Sequence, residues 1–482
     1  MRETYRVLPV YAGDVSGIAG ALYELGGMTV IHDPSGCNST YNTHDELRWY
    51  KEPSAIFISG LNMRDAVLGN DKKFIDDTLE AVASLPQKPA FIALCNSPLP
   101  WLNGTDFHAL SRIIENKSGI PTFYVSSNGC RDYAEGAGRA FLSLLEKFDG
   151  ELREKAAGHQ SVRAAGKKDC NITVNVIGMM PLDFAHPESL RSLKERMAKN
   201  GFAIQSVFAQ TDGTSEDLLT DILSSSAADV SLVLSTSGIP SAQYLKAHYG
   251  VPFVVGVPLE EDDPVFEQLR RAAAGLNYEA CLYTVGKDNM PTIHSQGASD
   301  CAHTADNKNR PENGQADTAS RYIAVLSEPV LAGSLASLLE RRTGRKVLVI
   351  NPLEGRVWNG HEAGAHSSRR LASEKKAALA DPLPEDRTRQ AAGRSAGTFY
   401  DSIQILRPGD LSLFGEEEME RGIAAAGVRE IYCDPMYAEI FSEGITLRPM
   451  PTLALSGRVY RNTFINYFDT ASVEELISHE HE

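Results

Sequence analysis

Three cysteines follow short apolar runs typical of buried strands, and their thiols are the side chains best placed for chemistry. Cys37 lies in the turn after MTVIHD, Cys95 ends the run PAFIALC, and Cys130 closes PTFYVSSNGC. Because ligands of open α/β sheets collect beyond the carboxyl ends of the strands, these thiols are positioned to hold a metal. Free cysteines are also common core residues, so their spacing by itself leaves both interpretations open.

The elements that would position these thiols show one recurrent junction, in which a helix-like stretch ends at glycine and a β-branched or aromatic run follows. Glycine at a helix C-terminus adopts the left-handed conformation that ends the helix. Repeated helix–glycine–strand junctions indicate βα units and mostly parallel sheets. The junctions are at glycines 119, 201, 250, 344 and 427.

The chain is long enough for several cores, and two polar stretches divide it. We predict three Rossmann-like α/β modules around a central cleft, at residues 1–165, 166–300 and 321–482. Residues 301–320 are rich in polar residues and are predicted to be a linker. Residues 358–396 contain few large apolar side chains, so we expect a mobile insertion within the third module.

Composition excludes several classes of protein. A net charge of −16 and a pI near 5.3 argue against nucleic acid as a partner, because phosphate binding needs a basic surface. No apolar run is long enough to cross a membrane, and the first residues lack the apolar region of a secretion signal. Seven cysteines, an odd number, do not indicate a disulfide framework. We therefore expect a reduced, cytoplasmic protein.

Four stretches of the first module together resemble the nitrogenase component 1 superfamily, which includes nitrogenase subunits and nitrogenase-like reductases. In order they are IHDPSGC, FISGLNMRDAVLGNDKKFIDDTLEAV, CNSPLPWLNGTDFHAL and GIPTFYVSSNGCRDYAEGAGRA. The order and spacing agree over roughly residues 30–145. A later stretch, VLSTSGIPSAQYLKAHYGVPFVVGVP, is similar to the second domain of that family, whereas the third module agrees only in its general α/β character.

The resemblance implies a 4Fe–4S cluster shared between subunits and held by cysteines on the turns after strands. By position, Cys37 and Cys95 match family ligands, and thiolates are the donors that such clusters take. The family has a further cysteine upstream, near where Tyr11 stands here, so one chain cannot supply four thiolates. Two copies, or a related partner subunit, could complete the set, with Cys130 as a possible third ligand.

The large cofactor of nitrogenase is not expected here. In the family it is held by a cysteine of the second domain and a histidine of the third, but the corresponding stretches LVLSTSGIP and MPTLALSGRVYRNTFINYF contain neither residue. We therefore predict neither a molybdenum–iron type cofactor nor dinitrogen reduction. The cleft could instead take an organic substrate lined by Ser235, Ser237, Arg458 and Asn462, although ordinary turn and capping roles are the simpler interpretation of these four.

The function implied by the resemblance is that of an oxidoreductase component. A separate ATP-dependent iron–sulfur reductase would supply electrons, which the cluster would pass to an unknown substrate. Two alternatives remain open. The protein could be a scaffold or carrier that binds a cluster for assembly without turnover, or a metal-free small-molecule-binding module of the same fold.

Overall fold

The computed structural model describes most of the chain, in ranges that are separated by gaps. They are 7–34, 48, 55–69, 71–129, 131–164, 171–211, 218–281, 322–353, 405–407, 409–441, 444–455 and 463–478. The predicted linker and insertion lie outside them, so the proposed module boundaries stay predictions.

The first sheet has four parallel strands in the order β2-β1-β3-β4, formed by β1 (Met28–His32), β2 (Ile56–Ile58), β3 (Ile92–Asn96) and β4 (Thr122–Val125). Its strands are short and apolar because helices cover both faces, as parallel sheets require. The helices are α1 (Asp14–Leu22), α2 (Met63–Leu68), α3 (Asp71–Ser84), α4 (Pro98–Asn103), α5 (Phe107–Ser118), α6 (Tyr133–Lys147) and α7 (Asp149–Ala164).

Local signals set the ends of these helices. The Asp106 carboxylate accepts a hydrogen bond from the Ala109 amide and begins α5, and Gly119 ends it at φ 63°. An aspartate at this position satisfies an amide that the helix leaves unpaired, and glycine adopts positive φ at little cost. The other predicted junction glycines also have positive φ, at positions 201, 250, 344 and 427.

The second sheet repeats this architecture with four parallel strands in the order β6-β5-β7-β8. Its central strands, β5 and β7, are fully paired on both sides, so the residues that follow them meet at one edge. The strands are β5 (Ile172–Ile177), β6 (Phe202–Val207), β7 (Val230–Val233) and β8 (Phe253–Val255), and the helices are α8 (Ser189–Lys199), α9 (Leu218–Leu223), α10 (Ile239–Tyr249) and α11 (Pro264–Ala273).

The third sheet has five parallel strands in the order β11-β10-β9-β12-β13. Its strands are β9 (Tyr322–Leu326), β10 (Val347–Asn351), β11 (Leu411–Ser412), β12 (Val428–Cys433) and β13 (Thr446–Pro449), and its helices are α12 (Pro329–Thr343), α13 (Glu416–Ala425) and α14 (Thr470–Ser478). The predicted α/β fold with three mostly parallel sheets is confirmed. One continuous apolar core runs through parts of all three modules, which fixes their sheets relative to one another.

Candidate functional site at the carboxyl edges of the sheets

The carboxyl edge of the first sheet is held by hydrogen bonds between the ends of its strands. The Ser127 hydroxyl donates to the Asn96 carbonyl at 2.6 Å and accepts from the Asn96 amide at 2.9 Å. The carboxylate of Asp14, at the start of α1, accepts from the amides of Asn128 and Gly129 at 2.9 and 3.0 Å. These bonds join α1 to the ends of β3 and β4, so this edge is a fixed platform.

Cys95 lies in β3, with Ile31 and Val125 as its partners on the neighbouring strands. Its side chain is 0% exposed and belongs to the main hydrophobic core. Burial, reinforced by the charges of Asp14 and Asp33, raises the pKa of the Cys95 thiol well above its usual range. Cys95 therefore has the chemistry of an iron–sulfur ligand, but in the isolated chain its sulfur offers no face to a partner.

The described residues do not by themselves form a metal site. They contain no group of three or more histidine, cysteine, aspartate or glutamate side chains placed to hold a metal ion. Two of the predicted ligands, Cys37 and Cys130, lie outside the described residues, as do the predicted pocket residues Arg458 and Asn462. Among the described residues, Cys95 alone of the predicted ligands has the residue type and the strand-end position that a cluster ligand needs. Its side chain is not exposed, however, as a ligand to a shared cluster would have to be.

Two polar residues at this edge have structural roles. His32, which precedes Cys37 in sequence, is buried between Phe74 and Phe107 and shares a hydrogen bond of 2.7 Å with Ser59. Burial lowers the pKa of His32 to about 4, so the ring is neutral at physiological pH. Ser97, the residue before Pro98, donates its hydroxyl to the His32 carbonyl at 3.1 Å.

The second sheet places Ser235 and Ser237 just beyond β7, where Ser235 immediately precedes, and Ser237 lies within, the short 3-10 turn that leads into α10. Both side chains are buried, and their hydroxyl oxygens are 2.5 Å apart. Gly178, which follows β5, makes room for them, because a Cβ atom there would lie 2.6 Å from the Ser235 hydroxyl oxygen. The two hydroxyls thus face one another within the protein interior.

Glu328 joins this turn to the third module. It lies two residues beyond β9 and begins α12, where its carboxylate accepts from the amides of Val330 and Leu331 at 2.9 and 3.0 Å. The other carboxylate oxygen accepts from the Thr236 amide, between the two serines, at 2.8 Å. Burial raises the pKa of Glu328 to about 7, although these hydrogen bonds favour the charged form.

Asp183, in the second module, links the first module to the region around Glu328. It follows β5 by six residues, and one of its carboxyl oxygens, Oδ1, accepts a hydrogen bond from the Tyr133 hydroxyl at the start of α6. The other oxygen, Oδ2, is buried and has no hydrogen-bond partner among the described residues. Burial and the charge of Glu328 raise the pKa of Asp183 well above its usual range. We call Tyr133, Asp183 and Glu328 the three-module junction.

An apolar surface lies beside the carboxyl end of β1, the strand that leads towards Cys37. The helices α2 and α4 follow β2 and β3, which flank β1 in the sheet, and the Asn103 side chain donates to the Ala66 carbonyl at 3.0 Å between the two helices. The large apolar side chains exposed there, which we call the α2–α4 surface, are Met63 (81% exposed), Val67 (76%), Leu68 (67%), Trp101 (52%) and Leu102 (71%).

A cavity of about 420 Å³ lies elsewhere, in the second module, and is lined by Lys246, Tyr249 and Tyr278 among others. It also includes residues 250–252, which precede β8, so it opens at the amino end of that sheet. Because ligands of such sheets bind at the opposite edge, this cavity is not the candidate active site.

Asp183, Glu328 and Tyr133 were not among the residues selected from the sequence. The sequence did contain a signal for the two acids, because each follows an apolar, strand-like run: Glu328 by two residues and Asp183 by six. Many loop acids share that feature, however, so only the meeting of three modules distinguishes them. Conversely, Ser235 and Ser237 do lie beside this junction, through the bond between Thr236 and Glu328.

These features define a class: an α/β protein whose parallel sheets direct their carboxyl edges towards a common junction, with an apolar surface beside one of them. The family model described as nitrogenase component 1 type oxidoreductase matches residues 25–351, which is more than half of the chain. The chain belongs to the nitrogenase component 1 type oxidoreductase family. Proteins of this family bind iron–sulfur clusters, contain several subunits and work with a reductase component.

Solved structures agree with this fold. The structure described as nitrogenase Cp1 at pH 6.5 has 13% sequence identity and a TM-score of 0.54, over 99% of this chain and 91% of that chain. Nitrogenase Cp1 at pH 5 gives 13% identity and a TM-score of 0.51, over 99% and 90%. At this identity the likeness concerns the fold alone. No curated protein sequence matches the chain, and no described helix has the length and apolar character needed to cross a bilayer.

Proposed function

We propose that this protein is a nitrogenase-like oxidoreductase component that shares a 4Fe–4S cluster with a second component 1-type subunit, either another copy or a paralogue. A separate ATP-dependent iron–sulfur reductase supplies the electrons, and the substrate is not dinitrogen. The cluster, when bound, supplies one-electron redox chemistry. The proposed ligands are Cys37 and Cys95, with Cys130 as a third candidate, and the protein resides in the cytoplasm.

The observation that carries this proposal is the α2–α4 surface. Several large apolar side chains exposed on two neighbouring helices mark a contact with another molecule in many proteins, because their hydration is unfavourable. Here they flank the strand from which the chain continues to Cys37, five residues beyond the end of β1. A partner seated on this surface would cover the position at which the proposed shared cluster needs a second set of thiolates.

The first test concerns the thiols. The full chain is purified anaerobically with its associated chains, iron and sulfide are quantified, and the reduced complex is studied by EPR. We expect the cluster signal to disappear in Cys37→Ser and Cys95→Ser. Cys433→Ser is the matched control, because Cys433 is also 0% exposed and lies at the carboxyl end of a buried strand.

The outcomes separate ligands from core thiols. If Cys95→Ser keeps both iron and signal while Cys37→Ser loses them, Cys95 is a core residue and its assignment as a ligand is wrong. A wild-type complex without iron after anaerobic isolation would overturn the cluster proposal and favour the metal-free binding module. A cluster that passes readily to an acceptor protein would instead favour the scaffold.

The second test concerns the α2–α4 surface. In the double variant Leu68→Glu/Leu102→Glu, two carboxylates would have to be buried without partners, which costs several kcal/mol. We expect the complex to dissociate, with an affinity at least about 100-fold weaker, as measured by light scattering after gel filtration. Leu276→Glu, in the second module, is the control, because Leu276 is also exposed, at 57%. An unchanged assembly in the double variant would place the interface elsewhere.

A further inference from the structure

The three-module junction contains two buried carboxyl groups with very different hydrogen-bond partners. Glu328 accepts from three backbone amides, at 2.8, 2.9 and 3.0 Å, one from Thr236 and two from the start of α12. Asp183 accepts one hydrogen bond, from the Tyr133 hydroxyl. Several N–H donors stabilise a carboxylate, whereas a buried charge with few donors is costly. Above about pH 7, the pKa of Glu328, the arrangement therefore favours a charged Glu328 and a neutral Asp183.

The unpartnered oxygen of Asp183 supports the same assignment. Oδ2 is buried without a donor among the described residues, which would be a serious cost for an ionised carboxylate. On a neutral carboxyl group, Oδ2 can carry the proton, and an unpaired neutral O–H group in the interior costs much less than an unpaired charge. Two nearby acids whose environments differ in this way divide their charges, one ionised and one protonated.

Among the residues that the structure describes, the groups that act electrostatically on Asp183 carry no positive charge that could neutralise it. They come from the first module, from the start of α12 and from the segment before α14, and they are acidic or phenolic. Among the described residues, those with an electrostatic effect on Asp183 or affected by it are Tyr133, Asp132, Glu328 and Tyr467.

We propose that the three-module junction is a proton-holding site, in which Asp183 carries an exchangeable proton on Oδ2 and the charge of Glu328 keeps it there. The site lies at the carboxyl edges of all three modules, where an α/β protein of this class takes its substrate.

The role of this proton in a reaction depends on the proposed function. Reduction of an unsaturated organic group consumes one proton for each electron that arrives from the reductase component. In that step the O–H bond of Asp183 breaks, a bond from hydrogen to carbon or nitrogen of the substrate forms, and the Asp183 carboxylate regains a proton from solvent. The negative charges of Glu328 and Asp132 disfavour an anionic group at this point, so the reduced group is expected to be neutral or cationic.

The test is infrared difference spectroscopy, in which the spectrum of each variant is subtracted from that of the wild type. The anaerobically isolated complexes are compared at about pH 8, where ordinary carboxyl groups are ionised. We expect the carbonyl band of a neutral carboxylic acid in the wild type and its loss in Asp183→Asn, which keeps an oxygen for the Tyr133 hydroxyl. Asp263→Asn is the matched control: Asp263 is also 7% exposed, but its two carboxyl oxygens accept from the amides of Val265 and Leu259. That substitution should leave the band in place.

A second measurement follows the pH dependence of stability. Because the folded-state pKa of Asp183 is raised above the unfolded value, its contribution is fully present below about pH 4 and is lost as the pH rises towards the folded value. The folding equilibrium constant of wild type relative to Asp183→Asn should therefore fall by up to about tenfold for each pH unit in this range. Glu328→Gln removes the facing charge and should let the acid band titrate at a lower pH.

Two results would overturn the inference: no acid band in the wild type, or a band that persists in Asp183→Asn. If Glu328→Gln removes the persisting band, the proton is on Glu328 instead. Iron is measured on the same samples. A complex that holds iron but lacks the band keeps the proposed function and loses this inference. A band in a complex without iron supports the proton-holding site and overturns the proposed cluster.

Discussion

Gly136→Ala is expected to destabilise the protein by about 3 kcal/mol, the upper part of the range for overpacked interiors. A Cβ atom on Gly136 would lie 2.1 Å from the Asp14 carbonyl oxygen, and one on Gly17 would lie 1.9 Å from the Tyr133 carbonyl oxygen. Helices α1 and α6 therefore cross in backbone contact. Since these neighbours are backbone atoms that cannot rotate away, the helices must move apart to admit even one methyl group.

Moving α1 and α6 apart would disturb both the carboxyl edge of the first sheet and the three-module junction. Asp14 holds the loop after β4 through the Asn128 and Gly129 amides, and Tyr133 holds Asp183. The measurement is chemical denaturation of Gly136→Ala beside Gly150→Ala. Gly150 is exposed in the first turn of α7, with open space around it, so alanine there meets no clash and should not destabilise the protein. Equal effects at the two positions would contradict the close crossing.

Glu328→Ala should have the largest effect at the three-module junction. It removes the acceptor of three buried amides, and each amide left unpaired costs about 1–3 kcal/mol. We expect a loss of about 3–5 kcal/mol in the free energy of unfolding, lessened because the buried charge also disappears. The loss should be accompanied by faster hydrogen exchange at Thr236, because its amide loses its link to the third module.

Asp106→Ala is the control for this prediction. Asp106 also begins a helix, α5, through one hydrogen bond to the Ala109 amide at 2.9 Å, but it is exposed. Its loss should cost only about 1 kcal/mol. If Glu328→Ala costs no more than Asp106→Ala, the link between the second and third modules is not an important contributor to stability.

The two regions suggest a division of roles within one chain. The α2–α4 surface lies beside the thiol-bearing edge of the first sheet, where a second subunit would contact this one. The three-module junction lies where the modules meet, at the start of α12 and α6. Under the proposed function, electrons enter at the first region and the proton is held at the second, and the rigid crossing of α1 and α6 connects them.

Much of the fold could be predicted from local sequence, because its signals are local. Gly119 and Gly250 end helices with positive φ, at 63° and 75°, and their effect depends on the glycine backbone alone. Apolar runs such as KVLVI predict strands covered on both faces, and β10 (Val347–Asn351) is one. The family resemblance rested mainly on motifs of the first module, with one supporting stretch in the second, and the family model matches residues 25–351.

The site was less accessible from sequence. Cys95 ends an apolar run, and that pattern is the same for a cluster ligand and for a core thiol; its complete enclosure depends on α1 and the neighbouring strands. Ser235 and Ser237 were selected as lining residues at a strand end, but only the fold shows that their hydroxyls bond to each other. Cys37, Cys130, Arg458 and Asn462 stay predictions.

The sequence by itself therefore determined the class of fold, the family and the strand ends at which chemistry should be sought, because periodicity, helix ends and motif order are properties of neighbouring residues. Only the tertiary structure decided which polar groups share an environment. Asp183 and Glu328 are separated by more than a hundred residues along the chain, and their protonation depends on the donors that each one finds in space. Charge and burial are collective properties of the packed modules, and no local pattern encodes them.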